Sequence, residues 1–297
     1  MQNISKQTHF GVLIATLRRQ KFDPLAGKVW SQSRLAEEAD LSLKIVGDIE
    51  RGRRVNIDEH TLVRLADALN LSILERHYFY QIAASIQQQY APFPRGSAIE
   101  YLQNRVQLMA EMQLPAFIHD SLFNLMAANQ LWLDYYTLTD AEWDAPQLPF
   151  NLLRMTIDPS SPVHQQLGTK WREMAQRILY RFCAYSMPEM PSDRYRETLQ
   201  HLMQFKQFRG LWVESIHQTG DHLHNASVFG YTHPRFGTLR LMSVSEQLVT
   251  NRGSFYLSIM IPGNTTASKL FDKLSRSTAS QAHQLWPFPK STIAPHE

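Results

Sequence analysis

The chain has 297 residues, enough for about two domains, and its 43% hydrophobic and 19% charged residues are those of a chain that buries a large core, which excludes disorder over most of its length. A net charge of +3, from 30 Lys+Arg against 27 Asp+Glu, excludes a histone-like, purely electrostatic binder. The single cysteine, Cys183, excludes a disulfide framework and a multi-cysteine zinc site; with no membrane-length apolar run and no signal-peptide layout, the sequence reads as cytoplasmic.

The first ninety residues read as short helices in quick succession. Phe10, Leu13, Ile14 and Leu17 form a helical stripe that ends at Gln20, where Asp23, Pro24 and Gly27 interrupt it. Ser31 suits the N-cap of a helix over Gln32 to Ala39. A tight turn, Asp40-Leu41, leads to Ser42, the N-cap of a second helix from Leu43 to Arg51. That helix turns Ile45, Val46 and Ile49 inward and is closed by Gly52. Further helices follow over Thr61 to Leu71 and Glu75 to Ile86. The run Ala91-Pro-Phe-Pro-Arg-Gly-Ser97 then stops helix formation.

The second half mixes periods. Ala116 to Ile118 and Leu122 to Met126 read as strands joined by His119-Asp120-Ser121. Trp171, Met174, Ala175, Ile178, Leu179 and Phe182 repeat at the spacing of an amphipathic helix with a broad apolar face. Strands are expected around His222 to Tyr231 and Thr238 to Val244, turning at Thr232-His-Pro-Arg235. Phe255, Leu257, Ile259 and Ile261 alternate as in a half-buried strand. The fold class is α+β: an all-α bundle over 1–91, a linker over 92–103, an α+β domain with an antiparallel sheet over 104–275, and a tail over 276–297.

A capped helix, a tight turn and a second capped helix describe a helix-turn-helix, whose second helix enters the major groove by its N-terminal end. Gln32, at the start of the first of these helices, is placed to reach a phosphate. Ser42, Leu43, Lys44, Gly47 and Asp48 are the outward positions expected at base edges and backbone. Arg51, Arg53 and Arg54 form a basic cluster behind them. The stretch Ser31-Gln-Ser-Arg-Leu-Ala-Glu-Glu-Ala39, then Leu41-Ser42, Ile49-Glu-Arg-Gly52 and Leu62-Val-Arg-Leu-Ala66 resembles the XRE family of Cro-type repressors. The resemblance implies sequence-specific binding of a double-stranded DNA operator. Lys21 to Val29 is longer than that family's usual turn, Gly47 offers no side chain, and Asp48 repels phosphate, so the resemblance does not carry over an operator sequence.

Past the linker, Leu114-Pro-Ala-Phe-Ile118, Asn124-Leu-Met-Ala-Ala-Asn129, Asn151-Leu-Leu-Arg154, Phe205-Lys-Gln-Phe-Arg-Gly-Leu-Trp212 and His233-Pro-Arg-Phe-Gly-Thr-Leu-Arg-Leu241 resemble the MmyB-like ligand-binding domain. Ala128 stands where that family has tryptophan. The resemblance implies a PAS-like fold that holds a small apolar ligand such as a fatty acid. Phe117, Trp132, Leu152, Met155, Trp171, Ile178, Phe182, Phe208 and Trp212 are the candidate lining, although aromatic residues at such spacing are also ordinary core. Arg154, Arg209, His233 and Asn151 are candidate donors to a ligand carboxylate.

Enzymatic readings have less behind them. His217, His222, His224 and His233 lie near one another in sequence, but no His-Glu-x-x-His and no paired cysteines accompany them. Hydrolase, phosphate-loop and dinucleotide signatures are absent, so neither catalysis nor a metal nor any cofactor beyond such a ligand is expected. The expectation is a ligand-responsive transcriptional regulator acting as a homodimer on a palindromic operator, away from membranes. A ligand-free dimerisation scaffold is the alternative for the second domain, and a DNA-tethered enzyme is a third reading.

Overall fold

A computed structural model describes residues 2–24, 26–54, 57–87, 98–138, 150–217, 228–250 and 253–288. The chain divides by packing into one unit of residues 1–91 with 179–223, and another of residues 92–178 with 224–297. The first division lies between Ala91 and Pro92. The transfer of 179–223 to the first unit has no counterpart in the sequence reading, which ran the second domain unbroken over 104–275. A helical stripe reveals that a face is buried, and nothing about which partner buries it. The proline-rich run 91–97, along with His222 and His224, lies outside the described residues.

The first unit opens with α1 (Gln2–Gln20), which starts well before the apolar stripe that signalled it. The expected break at Asp23 to Gly27 is a minimal hairpin, β1 (Phe22–Asp23) paired with β2 (Lys28–Val29). Then come α2 (Gln32–Glu38), α3 (Leu43–Glu50), α4 (Glu59–Ala68) and α5 (Ile73–Gln87). Ser31, Ser42 and Asp58 cap α2, α3 and α4 by accepting the N–H of Arg34, Ile45 and Thr61. All three helices close alike. Asp40, Gly52 and Asn70 take left-handed φ values of 49°, 67° and 50°, and in each end the two N–H groups past the helix return to carbonyls of its last turn. Phe10, Ile14, Leu35, Val46, Leu65 and Phe79 are buried at the centre of the bundle.

The second unit begins with α6 (Ala98–Ala110). Its six-stranded sheet is antiparallel throughout, in the order β5-β6-β7-β3-β4-β8. The strands are β3 (Ala116–Asp120), β4 (Leu125–Asn129), β5 (Val228–His233), β6 (Gly237–Thr250), β7 (Gly253–Pro262) and β8 (Ala282–Gln284). Strand β4 starts three residues later than the apolar run suggested. The Asp120 carboxylate accepts the N–H groups of Leu122 and Asn124, both at 2.9 Å, and this turn holds Phe123 at φ +63°. Similarly, Pro234 to Phe236 form the turn after β5, two residues beyond its expected start, and β6 runs well past Val244. Helices α7 (Gln130–Tyr135), α8 (Leu152–Ile157), α9 (Pro162–Leu167) and α13 (Thr265–Ser277) belong to this unit. Helix α10 (Trp171–Tyr185) changes unit after Ile178, and α11 (Asp193–Leu202) and α12 (Lys206–His217) belong to the first.

Candidate functional site

The α2–turn–α3 module presents Ser42, Leu43 and Lys44 to solvent at the first turn of α3, with Leu43 54% exposed. Two amide donors lie just above them, because Ser42 Oγ satisfies only the N–H of Ile45. Lys44 and Arg53 are exposed and make no ion pair among the described residues. Arg54 meets Asp58 at 3.5 Å, and Arg51 Nη2 donates to Asp48 Oδ1 at 3.0 Å. Gly47, expected on the outward face, is buried instead: the Arg51 guanidinium covers it, and a Cβ built there would meet Arg51 Nη2 at 2.8 Å. A residue without a side chain can be hidden by its own neighbour's, which helix periodicity does not foresee.

Gln32 is also occupied. Its Nε2 donates to Glu50 Oε2 at 2.7 Å rather than pointing to solvent. Glu50 further accepts Arg18 Nε at 2.7 Å and Nη2 at 3.0 Å, a bidentate pair whose side chains are 8% and 5% exposed. Arg18 Nη1 completes the knot on the Trp30 carbonyl. The end of α1, the start of α2 and the end of α3 are thereby locked together, and removing either charge from such a buried pair costs about 3–5 kcal/mol. Glu50 was visible in sequence only as part of a helix end; the mark of its role is Arg18, a cation on the last turn of a helix whose stripe is otherwise apolar. Nearby, Gly11 lets α1 touch α3, since a Cβ there would lie 2.5 Å from the Glu50 carbonyl oxygen and 2.6 Å from that of Ile49.

In the second unit, Phe117, Trp132, Leu152, Met155 and Trp171 converge on one apolar interior, with Tyr135, Tyr136, Phe229, Tyr231 and Phe271. The Trp132 ring lies 5.5 Å from that of Phe117 and 5.0 Å from that of Tyr136. Asn129 positions this wall: its Oδ1 accepts the N–H of Trp132 and of Ala116, and its Nδ2 donates to the Leu114 carbonyl. Ala128, beside it, is buried in the same interior. Ile178 is half-buried at the end of the first of this unit's two segments.

Phe182, Phe208 and Trp212 do not join these residues. They lie in the first unit, where Phe182 stacks on Tyr195 and Phe208 on Trp212. Trp212 lines a small cavity there, of about 50 Å³, with Leu17, Lys21, Glu75 and Cys183. Burial raises the Cys183 thiol pKa far above its ordinary value, leaving no reactive thiolate.

The proposed carboxylate donors separate as well. Asn151 spends its amide on the Leu122 carbonyl at 2.8 Å and Asn124 Oδ1 at 3.0 Å, and its oxygen caps α8. Arg209 lies in the first unit, donating to the carbonyls of Met203 and Gln204. Arg154 is half-buried on α8. His233 is 4% exposed at the end of β5, with Phe236 at 4.6 Å, and its Nδ1 accepts the N–H of Arg235 at 3.0 Å. Burial, aided by the Arg235 charge, holds its pKa below the ordinary histidine value.

Sequence reasoning missed the polar centre of this interior. The hydroxyls of Tyr135 and Tyr231 are hydrogen-bonded to each other, and Gln166 Nε2 donates to Tyr231 Oη at 3.0 Å. Burial pushes both phenols up from their ordinary pKa, so they stay protonated at neutral pH. Sheet topology alone brings together these tyrosines from α7 and β5, and neither sits in a motif.

Among the described residues no group of three or more His, Cys, Asp and Glu is arranged to hold a metal ion, and no helix is long and apolar enough to cross a membrane. The family model of the MmyB-like transcription regulator ligand binding domain matches residues 103–274, and a helix-turn-helix model matches residues 30–76. No curated protein matches the chain.

Proposed function

The chain belongs to the MmyB-like transcription regulators, DNA-binding proteins with a ligand-binding domain, and from that premise we propose that its second unit senses a largely apolar small molecule, a fatty acid among them. One observation carries this reading: Phe117, Trp132, Leu152, Met155 and Trp171, drawn from distant parts of the chain, converge on one aromatic interior that also holds a polar centre. Such a combination, an apolar lining with few fixed polar groups, is what small-molecule sites share. The antiparallel sheet with helices against it agrees with a PAS-like sensor.

In this reading the chain acts in the cytoplasm as a homodimer. Two copies of α3 enter successive major grooves of a palindromic operator, about 34 Å apart. A ligand that favours one arrangement of the sensor shifts DNA affinity by its differential affinity for the two arrangements, and by no more. Native mass spectrometry of the purified protein, before and after denaturation, tests the sensor directly. Release of an apolar molecule, with a change in DNA affinity when a fatty-acid series is added back, is the expected result. A single clean mass, with no thermal shift across that series, supports a ligand-free dimerisation scaffold instead.

A further inference from the structure

Donors outnumber acceptors at the polar centre of the second unit. Tyr135 and Tyr231 share one hydroxyl-to-hydroxyl bond, and Gln166 Nε2 donates to Tyr231 Oη. Those two bonds consume only one of the two phenolic hydrogens. With the Gln166 amide donating to Tyr231, one phenolic O–H remains without an acceptor among the described residues, whichever tyrosine donates to the other.

His233 adds a second spare donor. Because Nδ1 accepts the Arg235 N–H, the ring proton sits on Nε2, and Nε2 is buried with no partner among the described residues. The imidazole centroid lies 6.2 Å from both the Tyr135 and the Tyr231 ring. Native interiors leave few buried donors unpaired, and spare donors on neighbouring rings call for an explanation outside the chain itself.

We propose that the spare hydrogens of the Tyr135–Tyr231 pair and His233 form the polar subsite of the sensor, and that they receive an uncharged carbonyl oxygen, of a ketone, ester, lactone or amide, carried on an apolar body. This rests on the ligand-binding reading above. A carbonyl oxygen has two lone pairs for the two donors. The hydrogen-bonding groups here are neutral: two phenols, a carboxamide and an imidazole whose Nδ1 is already an acceptor. The nearby cations are Arg235, which is exposed and acts on His233 through its charge, and Arg177, which lies over Phe229 and is paired with Glu173. Arg235 contributes its main-chain N–H at this point and is itself exposed. An ionised carboxylate placed here would exchange its hydration for neutral donors alone, without a buried cation. A fatty acid therefore enters as the protonated acid, through its carbonyl oxygen.

The test uses the full chain and three series of equal length: 2-alkanones, the 2-methyl-1-alkenes that replace their carbonyl oxygen with a methylene, and ionised alkanoates at neutral pH. Ketones are expected to bind about tenfold tighter than the matching alkenes, the effect of one to two hydrogen bonds, and tighter than the alkanoates. Tyr231→Phe and His233→Phe are each expected to shrink the ketone-to-alkene ratio to about twofold. Because the ratio compares two probes on one variant, any loss of fold stability cancels. Equal binding of ketone and alkene, a ratio unchanged in both variants, or a preference for the alkanoate overturns the subsite and leaves the spare donors to water. Failure of every series to bind overturns the ligand-binding reading itself, and the subsite with it.

Discussion

Arg51 folds back along the recognition helix to meet Asp48, Nη2 to Oδ1 at 3.0 Å, and in doing so covers Gly47. The absence of a side chain at Gly47 makes room for the guanidinium, which lies along the helix surface paired with Asp48. The pair is half-exposed and spaced i, i+3, which limits its worth to stability to about 0–1 kcal/mol.

Releasing that arginine is the first expectation. Asp48→Ala removes the carboxylate that repels phosphate and frees Arg51, so affinity for duplex DNA rises while thermal stability barely changes. Anisotropy titrations over a range of salt should show a slope steeper by about 0.9 for one added phosphate contact. An unchanged slope would mean that Arg51 does not reach the backbone.

Gly11 is required by a backbone approach rather than by flexibility. A Cβ at 2.5 Å from the Glu50 carbonyl oxygen has no side chain to push aside, so Gly11→Ala must separate α1 from α3. A loss of roughly 1–3 kcal/mol is expected, with weakened DNA binding at temperatures where the variant remains folded. Melting at the wild-type temperature would contradict the close packing described for these helices.

Thr137 closes α7 in the left-handed region, at φ +52°, the place where α2, α3 and α4 use Asp40, Gly52 and Asn70. A β-branched residue is strained there, and its side chain is exposed. Thr137→Gly should therefore stabilise the protein by about 0.5–1 kcal/mol, the relief of strain being partly offset by the greater freedom of glycine in the unfolded chain. The midpoint of denaturant unfolding should rise with its slope unchanged.

His233 makes stability fall in acid. Burial and Arg235 lower its pKa in the folded protein below the ordinary 6.5, so as pH drops the unfolded chain takes up the proton first. This contribution is complete above pH 6.5 and is lost as pH falls below it. In His233→Phe that part of the acid dependence disappears, whatever constant offset the substitution adds. Parallel stability curves for wild type and variant between neutral and mildly acidic pH would show that the ring does not titrate as described.

Local chemistry was legible in the sequence. Ser31 and Ser42 cap their helices because a hydroxyl beside the first turn needs nothing from the rest of the chain, and Gly52 closes α3 for the same reason. A strand at Phe255 to Ile261 was legible, but not as a half-buried one: Tyr256, Ser258 and Met260 are buried as well, while Ile259 and Ile261 are only partly so, because both faces of β7 are covered. Non-local facts were not legible. The apolar faces over 179–223 look the same whether a sheet or a helical bundle covers them, so Phe182, Phe208 and Trp212 were grouped with residues of the other unit. Tyr135 and Tyr231 meet only because α7 and β5 are brought together by the fold, and the hydrogen bond that holds Gln32 Nε2 on Glu50 has no mark in the sequence.

The most direct measurement of the central claim, that the first turn of α3 and the loop after it dock on DNA, is the salt dependence of duplex binding by wild type and by Lys44→Ala/Arg53→Ala. Both side chains are exposed and make no ion pair among the described residues, so the double substitution leaves the fold intact. Affinity should fall, and the slope of log K against log salt should become shallower by about 1.8, the signature of two lost phosphate contacts. Unchanged affinity and slope would contradict the docking.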